Sequence, residues 1–319
     1  MERAAIGNRF ARTLTLALAG AMLGSGMAPA AAQEETRAFT RTGQWQLEAA
    51  DEECRIARVF TNGDQQIALA LERNSASAAA RLVLVSNALT TYRTSEELGF
   101  RFLPDGDQRS ARYLQSEMAD GQQYFNLGDV WFGTVDPPSP GTPPPAPGTP
   151  IYDRAAEQAY AAAITAIEFN TGLTQTARLE TGSLRAAITA LQACTDDLLR
   201  SWGLDWERHQ SMTRRATPDG NAVDWVPGLV SLFPDWLGFW GSRNSFLVLV
   251  DAEGHPTRCT VQRPSLDASK NERICNGFMA NGRFLPALDA NGQPMASYWQ
   301  ARLLFSSGTQ SGAFRTPVG

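Results

Sequence analysis

The chain has 319 residues, and its apolar fraction of 43% is that of a globular protein, which excludes a disordered or fibrous chain. Its 28 Lys and Arg stand against 33 Asp and Glu, a net charge of −5 that argues against nucleic acid or anionic lipid as a partner. This length suits two modest domains.

Residues 1–32 read as an export signal. Arg3, Arg9 and Arg12 precede the apolar run Leu14–Leu23, and small residues follow up to Ala30, Ala31 and Ala32. The run is about half of the roughly 20 residues that a membrane-spanning helix needs. No Cys directly follows it to carry a lipid. Cleavage before Gln33 removes Glu2, Arg3, Arg9 and Arg12, so 25 basic and 32 acidic residues remain and the net charge becomes −7. The expectation is a soluble periplasmic protein, with a retained signal segment as the alternative that would anchor it.

Residues 33–203 read as a first domain, mainly antiparallel β. The apolar segments Trp45–Leu47, Cys54–Phe60, Gln66–Leu71, Ala80–Val85 and Leu98–Phe102 alternate with polar turns, the pattern of strands in a meander. Arg112–Leu114 and Tyr124–Leu127 extend it. The Pro-rich stretch 136–150 is stiff and reads as a surface loop. Asp153 caps a short Ala-rich helix to about Ala162, and Ile164–Asn170 pairs across Thr171 and Gly172 with Leu173–Leu179. A long helix ends the domain: from Ser183 as N-cap, Leu184, Ala187, Ile188, Leu191, Cys194, Leu198 and Trp202 recur at helical spacing until Gly203. Residues 204–224, with Arg208, His209, Arg214 and Arg215, read as an exposed connector.

Residues 225–319 read as a second, small domain. Trp225–Trp240 is crowded with aromatic and aliphatic residues and reads as a short helix that covers a sheet. Phe246–Val250 is an apolar strand; Asp251–Gly254 is expected to turn it, since Gly254 can take the positive φ that closes a hairpin. In Thr257–Arg263, Cys259 and Val261 alternate with polar residues, which predicts a strand with one wet face. A helix follows from Asp267 to about Asn281, apolar at Ile274, Cys275, Phe278 and Met279, with Gly282 as a left-handed C-terminal residue. Gly277 inside it costs about 1 kcal/mol relative to Ala, so packing must hold this helix. After a turn at Asp289–Gly292 the last strand runs from Tyr298 to Phe305, with Trp299, Ala301, Leu303 and Phe305 on one face and Tyr298, Gln300 and Arg302 on the other.

The four cysteines fall two and two, Cys54 with Cys194 and Cys259 with Cys275, and this pairing alone avoids stapling the two domains together. A zinc site from Cys259, Cys275 and His255 lacks paired C-x-x-C spacing, so no metal is expected. No cofactor motif is present: no Walker loop, no G-x-G-x-x-G, no H-E-x-x-H and no G-x-S-x-G. His209 and His255 read as solvated, as do the acid pairs Glu52-Glu53 and Asp196-Asp197. Carboxylate catalysts leave no local signature, so an enzyme or small-ligand site in the first domain stays open.

The ordered set Phe233-Pro234, the strand ending at Val250 with Asp251–Gly254, Cys259-Thr260-Val261, Leu266-Asp267, Gly282–Ala287, Gly292-Gln293-Pro294 and the last strand resembles the C-terminal domain of TonB energy-transducing proteins. The resemblance implies a ββαβ domain without catalytic residues that binds an extended peptide of an outer-membrane transporter by adding it to the sheet edge. The edge would be the last strand, with Tyr298, Trp299, Gln300, Ala301, Arg302 and Leu303. The Pro-rich stretch of that family is longer and directly precedes the peptide-binding domain, whereas here it lies inside the other one. The fold class expected is thus α+β: a mainly antiparallel β domain with a long C-terminal helix, then a small TonB-like domain. The function expected is periplasmic protein binding, with an anchored energy transducer as the alternative; oligomeric state is not legible.

Overall fold

Two short strands joined through a single residue bring the two ends of the large sheet together. The computed structural model describes residues 36–133, 150–229, 245–263, 267–306 and 311–315. The signal at 1–32, most of the Pro-rich stretch 136–150, and Phe233-Pro234 with the rest of the aromatic-rich 230–244 lie outside these residues. In chain order the first lobe comprises β1 (Arg37–Ala50), β2 (Glu53–Asn62), β3 (Gln65–Arg73), β4 (Ala79–Ser86), β5 (Glu97–Leu103), β6 (Arg109–Arg112), β7 (Leu114–Glu117), β8 (Gln123–Trp131), α1 (Arg154–Ala163), β9 (Ala166–Thr171), β10 (Ala177–Leu179) and α2 (Arg185–Ser201). The strands form a ten-stranded sheet ordered β6-β5-β9-β10-β1-β2-β3-β4-β8-β7. Only Tyr113 separates β6 from β7, yet β6 pairs with β5 at one end of this order and β7 with β8 at the other. The seam is tied beside them by Arg109, whose guanidinium donates to the carbonyls of Trp131 (2.6 Å) and Gly133 (2.8 Å). A nearly closed sheet results, which leaves few free strand edges.

The α+β layout expected from the sequence is corrected here. Among the described residues strands make up 45% and helices 22%, the four α-helices are short, and no long C-terminal helix sets a layer of its own. The strands exceed the segments that alternation revealed: β1 spans 14 residues where only Trp45–Leu47 was apolar enough to be read. It pairs with β10 in parallel through Arg37–Phe39 and with β2 antiparallel thereafter.

Caps and periodicity still placed several elements. Asp153 accepts from the Ala156 amide and starts α1. α2 buries Ala187, Ile188, Leu191, Cys194 and Leu198, as its spacing required. Its N-cap is Leu184 rather than Ser183, although Ser183 Oγ still accepts from the Arg185 amide. Cys54 and Cys194 are bonded, Cα atoms 6.0 Å apart, across 140 residues. Closing so long a loop contributes roughly 5 kcal/mol in the chain-entropy model.

The second lobe comprises α3 (Trp206–Gln210), β11 (Thr217–Pro218), a 3₁₀ turn at Ala222–Trp225, β12 (Ser245–Val250), β13 (Pro256–Arg263), α4 (Ala268–Asn281), β14 (Phe284–Leu285), β15 (Ala287–Leu288), β16 (Pro294–Met295), β17 (Ser297–Ser306) and β18 (Ser311–Arg315). Four of them form an antiparallel sheet ordered β13-β12-β17-β18. Asp267 caps α4 through the Lys270 amide, and the Cys259–Cys275 bond ties α4 to β13. Between helix and sheet Trp299 meets Trp225, Phe278 and Phe284 with ring centroids 5.4–6.1 Å apart. Gly282 is not left-handed: its φ is −61°, and a Cβ there would meet the Phe278 carbonyl oxygen at 2.4 Å. Close approach, not turn geometry, selects this glycine.

Gly277 follows the same logic. A Cβ at this position would lie 2.7 Å from the Trp225 carbonyl oxygen and 3.0 Å from Val226 Cγ2, so the 3₁₀ turn rests directly on the helix backbone. Gly→Ala inside a helix ordinarily gains about 1 kcal/mol. Here overpacking reverses the sign, and Gly277→Ala is expected to lower stability by about 1–3 kcal/mol, read as a lower urea midpoint at unchanged slope.

Candidate functional site

Polar residues of β17 and β13 that alternation assigns to solvent instead receive the backbone of the first lobe. Residues 74–78 link β3 to β4, and the loop's base is fixed by a buried ion pair: Arg73 meets Glu157 of α1, with neither side chain more than 2% exposed. Tyr152 and Gln192 complete the cluster, with Gln192 Nε2 2.8 Å from Glu157 Oε2 and Arg73 Nη1 3.0 Å from the Tyr152 hydroxyl. Loss of one partner would leave the other charge buried, which ordinarily costs about 3–5 kcal/mol.

From this base the loop lies on the second sheet. Gln300 Nε2 donates to the Asn74 carbonyl at 2.7 Å and to Gln262 Oε1 at 2.8 Å. Gln262 Nε2 donates to the same carbonyl at 3.2 Å, and the Ala76 amide donates to the Tyr298 hydroxyl at 2.9 Å. Arg302 pairs with Asp129 of β8 at 2.8 Å. Tyr298 is 5% and Gln300 6% exposed, so the face read as wet is an interface between lobes.

This places the six residues expected to form a peptide-binding edge. Tyr298, Trp299, Gln300 and Ala301 are buried. Arg302 and Leu303 pair with Arg315 and Phe314 of β18. β17 therefore lies inside the sheet, between β12 and β18, and the outermost position expected for it passes to β18 on one side and β13 on the other. β18 went unread because Ser311–Arg315 carries no apolar alternation.

The connector read at 204–224 is likewise part of the interface. His209, expected in solvent, is 6% exposed. Its Nδ1 lies 2.7 Å from the Asp205 carbonyl and its Nε2 3.0 Å from Ser297 Oγ, while the ring stacks on Tyr298 at 6.1 Å. Trp202 packs on the same Tyr298 from α2 at 5.5 Å. Asp196 is buried against Arg154, and of its pair only Asp197 faces solvent.

At the margin of this interface a groove of about 410 Å³ opens between β13, α2 and the turn joining β1 to β2. Its lining includes Asp51, Glu52, Asp197, Leu198, Trp202 and Arg258. Burial holds the Glu52 carboxyl above its ordinary pKa, with Asp51 acting in the same direction and against the opposing pull of Arg258 and of a hydrogen bond from the Gln262 side chain. Glu52 Oε2 is buried without a hydrogen-bond partner among the described residues. In the sequence Glu52 reads as half of a solvated acid pair, and no local signal distinguishes it from Glu53.

Both disulfides form as read, all four cysteines being paired. They fit an oxidising compartment. Among the described residues no helix is long and apolar enough to cross a membrane, and no group of His, Cys, Asp and Glu is placed to hold a metal. Comparison with protein-family models, with curated proteins and with solved structures gives no match.

Burial is the main cause that lowers the His209 pKa, with Arg208 and Arg215 acting in the same direction and Asp205 against it. The unfolded chain takes up this proton near its ordinary value of about 6.5. Stability from a neutral His209 is therefore fully present above that pH and is lost as pH falls toward the lower folded value. Melting temperature is expected to drop between about pH 7 and pH 5, and His209→Gln to flatten that drop.

Proposed function

We propose that the chain is an exported periplasmic binding protein that takes up an extended peptide of an envelope protein, such as an outer-membrane transporter, by strand addition at β13. The observation that carries this reading is the strand order: β13 is outermost, its strand partner among the described residues is β12, and the groove opens beside it. The order β12, β13, α4, β17 supports a relation to TonB C-terminal domains. The two disulfides support export. The nearly closed ten-stranded sheet leaves few edges of its own among the described residues. A groove carboxyl with a raised pKa favours a second reading, a small-ligand binder in the first lobe.

Amide exchange of the whole chain separates the two readings. With nine-residue peptides drawn from periplasm-facing segments of outer-membrane transporters, the amides of β13 are expected to slow by about tenfold or more at saturation. Thr260→Pro, which removes a strand donor, is expected to abolish that protection. Protection confined to β18 or β7, or none with any peptide, would contradict the reading. A small ligand would slow exchange around Glu52 and leave β13 unchanged.

A further inference from the structure

Three contacts meet on Tyr298 where the loop 74–78 docks. Trp202 of α2 packs edge-on at 5.5 Å, His209 of α3 stacks at 6.1 Å with the two rings 13° from parallel, and the Tyr298 hydroxyl takes the Ala76 amide. His209 thus stands against the ring whose hydroxyl receives the first lobe's backbone.

The hydrogen bonds assign the proton on the imidazole. Nδ1 faces the Asp205 carbonyl, which can only accept, so Nδ1 carries the hydrogen and Nε2 of the neutral ring accepts from Ser297 Oγ. A second proton turns Nε2 into a donor. Ser297 must then send its hydroxyl hydrogen to Met212 Sδ, a weak acceptor 3.8 Å away.

The surroundings also oppose the charge. The ring is 6% exposed, so desolvation is the first obstacle. Asp205 attracts a proton on it, while Arg208, itself held by Asp289 at 2.8 Å, and Arg215 repel one. Arg215 lies at the Tyr298 hydroxyl and, with Ser75 and Ser77 of the docked loop, lines an enclosed cavity of about 20 Å³. Stacking returns little, because 6.1 Å is at the limit of about 6 Å for a cation over an aromatic face. A charged His209 therefore gains most by reaching water.

Its way out disturbs little else. α3 is five residues long and joins no sheet ladder, so its departure from Tyr298 breaks no strand pairing. Each lobe keeps its own disulfide, and the lobes stay joined through Arg302 with Asp129 and through Leu247 and Leu249, which pack into the first lobe's core.

We propose that His209 is a proton-operated latch on the lobe interface: protonation lifts α3 from Tyr298 and releases the loop 74–78 from the second sheet, while both lobes keep their folds. The latch is closed above the ordinary imidazole value of about 6.5 and opens as pH falls below it. A docked ring that stays neutral, set against an open ring of ordinary affinity, raises the open fraction by up to about twentyfold between pH 7 and pH 5.

The test is native-state amide exchange of the whole chain at pH 7 and pH 5, each rate divided by that of an unstructured peptide at the same pH, together with an NMR titration of the imidazole rings. The chain has two histidines, and the second, His255, is 61% exposed, so the two rings are readily told apart. Protection of the Ala76 amide is expected to fall by about tenfold to twentyfold at pH 5 while the β3 amides hold theirs. The His209 ring is expected to titrate with the same midpoint as that loss. His209→Gln is expected to give the same Ala76 protection at both pH values, with β3 protection showing that the variant is folded, and His255→Gln to behave as the parent does. Should His209→Gln fail to fold, coincidence of the two midpoints in the parent chain decides. Ala76 protection that persists to pH 5, or a His209 ring that titrates without changing it, would overturn the latch. Acceleration of the β3 amides in step with Ala76 would make the event general unfolding and overturn it as well. A pH response that survives His209→Gln would place the titrating group elsewhere, Glu52 first among the candidates, and would equally overturn it.

Discussion

Everything in the second lobe depends on how five residues of backbone are received. The loop 74–78 brings an unpaired carbonyl at Asn74 and an amide at Ala76 into a region from which water is excluded, and Gln262, Gln300 and Tyr298 satisfy them there. Buried backbone groups require such partners, so the two Gln and the Tyr are bound to this contact as firmly as any apolar residue is to a core. The loop in turn keeps its position because Arg73, immediately before it, is locked to Glu157, Tyr152 and Gln192. The buried ion pair is thus less a source of stability than a device that fixes where the loop emerges.

The consequence for function is subtractive. With one face of the four-stranded sheet on the first lobe, the other under α4 and the 3₁₀ turn, and β17 flanked by β12 and β18, what this sheet leaves uncovered among the described residues is its outer strands. β13 is the outer strand beside a groove lined by its Arg258, by the β1–β2 turn and by α2. The same contact that buries Tyr298 and Gln300 therefore borders the groove that Glu52 lines.

Much of the local structure was legible. Alternation located the strands of the first lobe, Asp153 and Asp267 announced helix starts, and the two-and-two distribution of cysteines gave the disulfides. Gly277, costly by propensity, proved to sit where the 3₁₀ turn touches the helix. What was not legible is long-range. A polar residue in every second position reads as a solvent face, and nothing local distinguishes Gln300 bonded to a carbonyl from Gln300 bonded to water. The same blindness sent His209 to the surface and left Glu52 in a pair of apparently solvated acids. Closure of the ten-stranded sheet depends on Arg109 reaching carbonyls more than twenty residues away, which periodicity does not register.

The most direct test of the docked arrangement is native-state amide exchange at Ala76. The amide lies in an irregular loop, outside any sheet ladder, so its protection comes from the Tyr298 hydroxyl and the burial around it. Docked lobes predict exchange as slow as that of the β3 amides and a large acceleration in Tyr298→Phe, with the β3 amides unchanged. Exchange at the rate of a free surface loop in the parent chain would contradict the docking, and with it the groove.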